Sequence, residues 1–404
     1  MRQCTHHPLL GIMVTELNGE LPFASSDFYE RLTYYGATQG LNVFVFSPNR
    51  INWKQEIVRG YTYVSERQEW IRKLFPLPSL IYDRCFFSSK DSYHQYRFHV
   101  RKLRGTPHIR FLGYGLSGKW EVDQILQKDS TLQLYLPETR MLTSGTGLRK
   151  WLYAKSDVFL KPQGGSQGRG AMHLHKVSKT DGNSSFHIKG RDAHNQSIEH
   201  QFNHFDPCWY WLRNQIGMRP YLMQDYLALH STEGMAFDVR SLVQKNGRGL
   251  WESTGMAVRL GKPGSITSNL HGGGTAEDVS SFLTKEFGDT KASELIATLT
   301  TLSSRIPPVL ESHHGRLAEL GIDLGIDTYG RVWILEVNSK PGRTIFARLG
   351  NENARMKSIA NPINYAGFLL NRKLVKLGFA GKCPGRQMVK SACFDTESPV
   401  GQQV

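Results

Sequence analysis

A lysine followed by a glycine-rich run is the first feature of this sequence that could do chemistry. The segment FLKPQGGSQGRG at 159–170 places Lys161 after an apolar pair and four glycines around Ser166. Glycines allow backbone N–H groups to turn inward around phosphate oxygens, and the lysine adds a positive charge. The segment lacks both the Gly-Lys-Ser/Thr ending of a Walker A loop and a helix-opening GxGxxG. A solvent-exposed glycine hairpin is the alternative, and for such a loop alone it is the more common case.

Two carboxylates and an amide follow in the segment GIDLGIDTYGRVWILEVNSKPG at 321–342. A turn at 329–330 predicts that Asp323 lies beside Glu336. Asn338 shares the face of Glu336 because it lies two residues further along the strand. Carboxylate and amide oxygens are hard ligands that suit Mg²⁺ shared with phosphates. The hairpin therefore predicts a magnesium site.

A polar, solvated face is the alternative interpretation of this hairpin. Strand alternation places Leu335 and Val337 on the opposite face and Ile334 on the acidic face. Carboxylates among apolar neighbours are costly to bury without a cation. We therefore favour the metal site over the solvated face.

Two arginines and an asparagine form a third group, in FDVRSLVQ at 237–244 and MAVRLGKPGSITSNLHGGG at 256–274. Arg240 and Arg259 are predicted on paired strands, and Asn269 follows in a flexible loop. Arginines that converge on a transferring phosphoryl group stabilise its charge. Taken singly, each arginine is more often an ordinary cation on a sheet surface.

The elements that position these residues follow from the hydrophobic periodicity. The first segment predicts strands at 9–14, 41–46 and 79–82 and helices at 25–39 and 92–103, which is the start of a parallel sheet with helices on its faces. A domain boundary is expected near residue 115. Further on, helices are expected at 120–127, 148–154, 277–287 and 291–304, and strands at 134–139, 157–161, 171–176, 219–227, 236–244, 251–260, 320–328 and 331–337. The stretch 178–201 is expected to be a loop or a peripheral hairpin.

Composition limits the classes of protein that need to be considered. The chain has 404 residues, 39% of them hydrophobic, which excludes wholesale disorder and predicts two to four domains. The net charge of +15 implies attraction to nucleic acid, a membrane surface, nucleotide phosphates or an acidic peptide. No apolar run is long enough to span a membrane, so we expect no membrane partner. Five scattered cysteines without a CxxC pair suggest neither a zinc knuckle nor a disulfide framework, and the cytoplasm is the expected compartment.

The order of the three groups resembles the ATP-grasp superfamily, and within it the RimK-like ligases and the YheC/YheD endospore coat-associated proteins. The resemblance implies an α/β fold of the α+β ATP-grasp type, with an N-terminal pre-ATP-grasp α/β domain and a two-lobed ATP-grasp fold. The expected domains are the pre-ATP-grasp domain at 1–115, the lobe with the glycine-rich loop at 116–225, the lobe with the magnesium site at 226–350, and a C-terminal helix with a disordered basic tail at 351–404.

The resemblance also implies ATP and two Mg²⁺ ions as cofactors. The residues expected to bind the nucleotide are Lys119, Lys161, Gly165, Ser166, Gly168, Gln224, Asp225, Tyr226 and Leu227. The expected metal ligands are Asp323, Glu336 and Asn338, and the expected catalytic residues are Arg259, Lys161, Asn269 and Arg240.

Such a site would make the protein an ATP-dependent carboxylate–amine ligase that forms an amide through an acylphosphate. The partners would be ATP, a carboxylate donor and an amine acceptor, and the excess positive charge favours an acidic peptide or protein as acceptor. The alternative is a non-catalytic protein of the spore coat that keeps the fold. A third hypothesis, nucleic-acid binding, depends on the aromatic and basic stretch 93–104. We expect that stretch to be a solvated amphipathic helix and expect no nucleic-acid partner.

Overall fold

The computed structural model describes residues 9–87, 90–165, 168–178, 180, 182–263, 268 and 274–370. Its strands form three sheets, two of six strands and one of five. Within these residues, no helix is both long and apolar enough to cross a membrane. Ser166, Asn269 and the C-terminal tail after residue 370 lie outside the described residues.

The first sheet has a parallel centre and an antiparallel edge. Its strand order is β4-β3-β2-β1-β5-β6; β1 is parallel to β2 and β5, and β3 and β4 extend the sheet as a meander. The elements are β1 (Leu9–Met13), α1 (Ser26–Thr38), β2 (Asn42–Asn52), β3 (Ile57–Val64), β4 (Glu69–Pro76), β5 (Leu80–Asp83), α2 (Lys90–Arg104) and β6 (Arg110–Phe111). The predicted strand–helix–strand beginning is confirmed. The hairpin β3–β4 was not predicted.

Helices cover both faces of this sheet, as a buried parallel sheet requires. Leu32 of α1 packs on one face, and Val100 and Leu103 of α2 pack on the other. Ile363 from the far C-terminal part of the chain joins α1 in the same core. The C-terminal helix thus completes the N-terminal domain.

The second sheet is antiparallel and carries the glycine-rich loop. Its strand order is β11-β10-β9-β8-β12-β7. The elements are α3 (Lys119–Leu126), β7 (Thr139–Met141), α4 (Gly145–Lys155), β8 (Asp157–Pro162), β9 (Met172–Ser178), β10 (Ser184–Arg191), β11 (Ser197–Phe202), α5 (Phe205–Ile216) and β12 (Tyr221–Gln224). Helices α4 and α5 pack on one face of the sheet, which leaves the other face free for a ligand. For the stretch 178–201, expected to be a loop or a peripheral hairpin, the structure shows the hairpin β10–β11.

The prediction of a strand at 134–139 is wrong over most of this range. A short 3-10 helix spans Leu132–Tyr135 instead, and β7 begins only at Thr139. The carboxylate of Asp129 accepts hydrogen bonds from the backbone N–H groups of Thr131 and Leu132, at 3.0 and 2.9 Å. These bonds start a helical turn. The hydrogen bonds of the Asp129 side chain therefore favour a turn over the strand that the sequence pattern predicts.

The third sheet is antiparallel, with strand order β15-β14-β13-β16-β17. The elements are β13 (Phe237–Lys245), β14 (Trp251–Leu260), β15 (Thr275–Glu277), α6 (Val279–Phe287), α7 (Asp289–His314), β16 (Glu319–Ile326), β17 (Val332–Asn338), α8 (Thr344–Arg348) and α9 (Glu352–Leu369). One face packs against α3, α6 and α7 in the largest core of the described residues. Helix α7 runs past its predicted end at 304, through Pro307 and Pro308, because Ile306 and Leu310 continue its buried stripe.

Candidate functional site

Charged residues of four neighbouring strands lie in rows across the third sheet. Asp238 of β13 pairs with Arg259 of β14, and Arg240 of β13 pairs with Asp323 of β16. Asp323 in turn pairs with Glu336 of β17. The predicted neighbourhood of the two carboxylates is therefore confirmed.

The pair forms through a β-bulge that the sequence did not predict. Near the turn, Ile326 pairs with Val332, one residue away from the predicted register. The register then shifts between Asp323 and Leu324, so that Leu335 is the extra residue on β17. The bulge restores the pairing of Asp323 with Glu336.

The same bulge corrects the prediction for Ile334. Ile334 pairs with Leu324, and both belong to the core beneath the sheet together with Val337. Ile334 therefore faces the core, and the prediction that it shares the acidic face is wrong. Leu335, predicted to lie beside Val337, has a backbone carbonyl that accepts a hydrogen bond of 3.2 Å from Nζ of Lys161.

Asp323 is enclosed by arginines. Nε of Arg240 lies 2.5 Å from one carboxylate oxygen, and Nη2 of Arg259 lies 2.9 Å from the other. Burial alone would raise the pKa of the Asp323 carboxyl, but the charges and hydrogen bonds of the two arginines outweigh it and lower the pKa. Asp323 is thus ionised, and both of its carboxylate oxygens are bound by arginine donors in this structure.

Arg259 is held from a second side as well. Its Nε and Nη2 atoms donate to the two carboxylate oxygens of Asp238 at 2.6 and 2.7 Å. Burial would lower the pKa of Arg259, but Asp238 and Asp323 raise it further than burial lowers it. The guanidinium is therefore fixed in orientation and permanently charged. Both properties suit an arginine that binds phosphate.

Two lysines lie near β17, Lys119 at the start of α3 and Lys161 on β8 of the second sheet. Nζ of Lys119 lies 3.5 Å from Glu336 and donates to the carbonyl of Gly165 at 2.8 Å. Nζ of Lys161 donates to the side-chain oxygen of Gln224 at 2.9 Å. Burial lowers the pKa of Lys161 to about 8, although Glu336 acts in the opposite direction. A charged phosphate beside Lys161 would compensate for this burial.

A cleft between the second and third sheets brings together some of the expected site residues, whereas Asp323, Arg240 and Arg259 are not among the residues that line it. Its walls carry both lysines, the first two glycines of the loop and two of the expected metal ligands, together with apolar side chains. The lining residues are Ser117, Gly118, Lys119, Val122, Asp123, Leu126, Leu136, Thr139, Lys161, Gln163, Gly164, Gly165, Leu222, Gln224, Ile334, Leu335, Glu336, Val337 and Asn338. Gly165 has φ +108, a conformation that favours glycine.

The segment 224–227, expected to bind the nucleotide, lies only partly in this cleft. Gln224 lines the cleft, whereas Asp225 accepts a hydrogen bond of 2.5 Å from Lys155 and Tyr226 stacks on His173 with ring centroids 3.6 Å apart. Leu227 follows in the connection to β13 and, like Gly168 with φ +70, is not among the lining residues.

Sequence reasoning missed Asp123, which lines the cleft from α3. Burial raises the pKa of its carboxyl to about 6, although Lys161 opposes this change. The signal was present in the sequence, because Asp123 lies four residues after Lys119 and therefore on the same helix face. Gln163 and Thr139, which also line the cleft, were missed as well.

A buried ionic junction joins the N-terminal domain to the strand that carries Asp323. Glu319 of β16 accepts hydrogen bonds from Arg84 at 3.0 Å and from Tyr82 at 2.5 Å, and it forms an ion pair with Arg343. Burial would raise the pKa of Glu319, but Arg343 and Arg84 lower it. The junction fixes β16, the strand that carries Asp323, against the first sheet.

Comparison with known proteins identifies the family. Residues 108–369, well over half of the chain, match the family described as YheC/D like ATP-grasp. The chain belongs to this family. It is 31% identical over 328 residues to the endospore coat-associated protein YheC of Bacillus subtilis (strain 168), covering 81% of this chain and 88% of that protein. It is 27% identical over 375 residues to YheD of the same organism, covering 91% and 80%.

The family match gives the ATP-grasp fold, with mixed α/β structure in three sheets. Among solved structures, D-alanyl-alanine synthetase A from Vibrio cholerae O1 biovar eltor str. N16961 aligns with a TM-score of 0.46 at 11% identity, over 88% of this chain and 98% of that one. A similarity of this size carries no argument about the substrate.

Proposed function

We propose that the protein is an ATP-dependent carboxylate–amine ligase that forms an amide bond through an acylphosphate. The observation that carries the proposal is the cleft in which Lys119, Lys161, Glu336 and Asn338 meet the glycine-rich loop. Membership of the YheC/D-like ATP-grasp family supports it.

The cleft offers separate surroundings for the parts of a nucleotide. Val122, Leu126, Leu136 and Leu222 form an apolar wall that suits an adenine ring. The two lysines and the N–H groups of the loop suit a triphosphate. The side chain of Gln224 lies between these regions, held by Lys161 on one side and bonded to Thr139 at 2.8 Å on the other.

Asp323, Glu336 and Asn338 fit magnesium by their chemistry, since all three offer hard oxygen atoms. When bound there, magnesium would neutralise phosphate charge and orient the transferring group. The arginines would supply the remaining positive charge, with Arg259 fixed by two carboxylates and Arg240 beside it.

In the proposed reaction, a carboxylate oxygen of the donor attacks the γ-phosphorus and ADP leaves. The amine then attacks the acyl carbon, phosphate leaves, and the amine nitrogen loses a proton. The protein contributes orientation and charge neutralisation, which suffice for this chemistry. No nucleophilic serine or cysteine is required.

We propose an acidic peptide or protein as the acceptor. The net charge of +15 exceeds what a nucleotide site needs, and much of it lies away from the cleft. The basic helix α2, with Arg101, Lys102 and Arg104 in its last turn, is one such surface. Acidic chains would be drawn to this charge and would respond to salt.

The experiment combines turnover with product mass. The chain is incubated with Mg-ATP, amino acids and acidic peptides, and phosphate release is followed together with mass changes that correspond to amide formation. Glu336→Gln should abolish phosphate release while the fold survives, and Glu352→Gln, an exposed acid outside the cleft, serves as the control. Equal turnover by the Glu336 variant would contradict the proposal.

A non-catalytic role in the spore coat is the second candidate, supported by the names of the two Bacillus relatives. It predicts that Mg-ATP does not raise the melting temperature of the purified chain. It also predicts that the protein is recovered with the coat fraction of spores. The presence of Asp323, Glu336 and Asn338 together argues for catalysis, since a coat scaffold has no need for this set.

A further inference from the structure

Two histidines and an aspartate form a cluster outside the residues that line the cleft. Asp157 lies at the start of β8, and His173 and His175 lie on β9. One ligand atom from each side chain falls within 4.8 Å of the other two. Within the described part of the chain, this is the one such group of three histidine, cysteine or acidic residues.

The register of the second sheet brings the three side chains together. Asp157 pairs directly with His175, and His173 lies two residues away on the same strand and therefore on the same face. On the next strand, His187 pairs with His175. Directly opposed residues have Cβ atoms about 5 Å apart, so His187 stands next in the row.

The ligand atoms of the cluster lie closer together than those of a metal site. Nε2 of His173 lies 2.6 Å and Nδ1 of His175 lies 2.8 Å from the same oxygen of Asp157. Ligands about 2.0–2.1 Å from a tetrahedral zinc ion are about 3.3 Å apart. To admit an ion, the nitrogen–oxygen distances would therefore lengthen by roughly half an ångström.

The ligand chemistry selects a transition metal over magnesium. Two imidazoles and one carboxylate suit Zn²⁺ and its neighbours, whereas Mg²⁺ prefers oxygen ligands. Each imidazole binds a metal ion in its neutral form. The side chains of His175 and Asp157 keep 41% and 32% of their surface exposed, so an ion can reach them from solvent.

Neighbouring aromatic side chains hold His173 and the main chain of Asp157 in place. The ring of Tyr226 stacks on that of His173 at 9° between the planes. The main chain of Asp157 accepts a hydrogen bond of 3.1 Å from the indole N–H of Trp151. Such support fixes ligand direction before an ion arrives, as the outer shell of known metal sites does.

We propose that Asp157, His173 and His175 bind one transition-metal ion of the zinc class, independently of nucleotide, with His187 or water completing the coordination. The ion would join β8 to β9, the two strands that flank the glycine-rich loop. It would thereby brace the base of the hairpin that carries the loop.

The test uses the untagged, full-length protein after treatment with a chelator and without nucleotide. ZnCl₂ is titrated by calorimetry, and CoCl₂ is followed by its visible d–d absorption. The wild-type chain should bind one more Zn²⁺ per molecule than the double variant His173→Ala/His175→Ala. It should also show cobalt bands that the variant lacks. The variant Asp157→Asn, nearly equal in shape, should weaken zinc binding at least tenfold.

His194→Ala is the matched control, because His194 is an exposed histidine of the same lobe outside the cluster. It should bind zinc like the wild type. Circular dichroism of every variant checks the fold. Unchanged zinc stoichiometry and affinity in the double variant would overturn the proposal, as would competition by Mg²⁺ at equal concentration. Either result would leave the three side chains as a hydrogen-bonded cluster only.

Discussion

Replacing Lys161 by methionine should stabilise the nucleotide-free protein and at the same time weaken its response to Mg-ATP. The amine is enclosed between the two sheets, where its pKa falls from 10.5 to about 8 because of burial. Burying a lysine in this way lowers the free energy of unfolding but keeps a positive charge in the cleft. Methionine has a similar length and removes the charge.

The magnitude follows from the pKa. A decrease from 10.5 to about 8 corresponds to about 3 kcal/mol against the charged form. The residue remains partly open to the cleft, which reduces this penalty, and methionine leaves the oxygens of Gln224 and Leu335 without their donor. Losing each bond costs about 1 kcal/mol. We therefore expect a net gain of about 1 kcal/mol in the free energy of unfolding at pH 7.

The pH dependence has a defined sign. Between about pH 8 and 10.5 the unfolded chain holds the proton on Lys161 and the folded chain has released it. The free energy of unfolding therefore rises with pH across this window in the wild type. Lys161→Met should lack this contribution, so its advantage over the wild type should shrink as the pH rises.

Urea unfolding at pH 7 and pH 9.5 measures the stability, and the shift in melting temperature with Mg-ATP measures binding. Losing a charge-assisted contact with phosphate should weaken ATP binding by about 10- to 100-fold. Lys176→Met is the control: Lys176 is a lysine of β9 whose Nζ lies 4.3 Å from the ring centroid of Tyr153. A variant Lys161→Met that is less stable than the wild type, or that binds Mg-ATP equally well, would refute the reasoning.

Three further changes test how the fold supports the site. Glu319→Gln should cost about 3–5 kcal/mol by urea unfolding, because it leaves two buried arginines without their counter-charge, whereas the exposed Glu352→Gln should cost under about 0.5. The contribution of Glu319 is present above pH 4.5, its unfolded value, and should be lost as the pH falls through its lowered folded pKa. Gly36→Ala should lower stability by about 1–3 kcal/mol, because the new methyl group would lie 2.3 Å from Val43, and the same change should cost less in a Val43→Ala background; an equal cost in both backgrounds would exclude the clash. Ser144→Ala should cost about 1 kcal/mol by removing the N-cap hydrogen bond of α4, and an unchanged melting temperature would contradict this role.

Long periodic segments were the part of the fold that sequence predicted well. Strands β13 and β14 and the hairpin β16–β17 were placed within a few residues, since their alternation reflects one buried face. Helix α5 and the strands β3 and β4 were missed. Strand β4 is exposed along much of its length, so its sequence lacks an apolar alternation to detect.

The candidate site shows the same division. The residue types around Lys161, Asp323 and Glu336 by themselves indicate a site for phosphate and magnesium. Their contacts did not follow from spacing. The predicted pairing of Asp323 with Glu336 is confirmed. It depends on a bulge at Leu335, which compensates for a one-residue difference between the predicted and the observed register at the turn.

The sequence by itself determined the family, the chemistry of the side chains and the approximate order of the elements. These depend on residue type and on neighbours along the chain. Only the tertiary structure decided that Lys161 meets Leu335, that α9 completes the first domain, and that Asp157 joins two histidines of β9. Such contacts join residues that are distant in sequence or lie on different strands. Their geometry is set by how sheets and helices pack, and local periodicity carries no information about it.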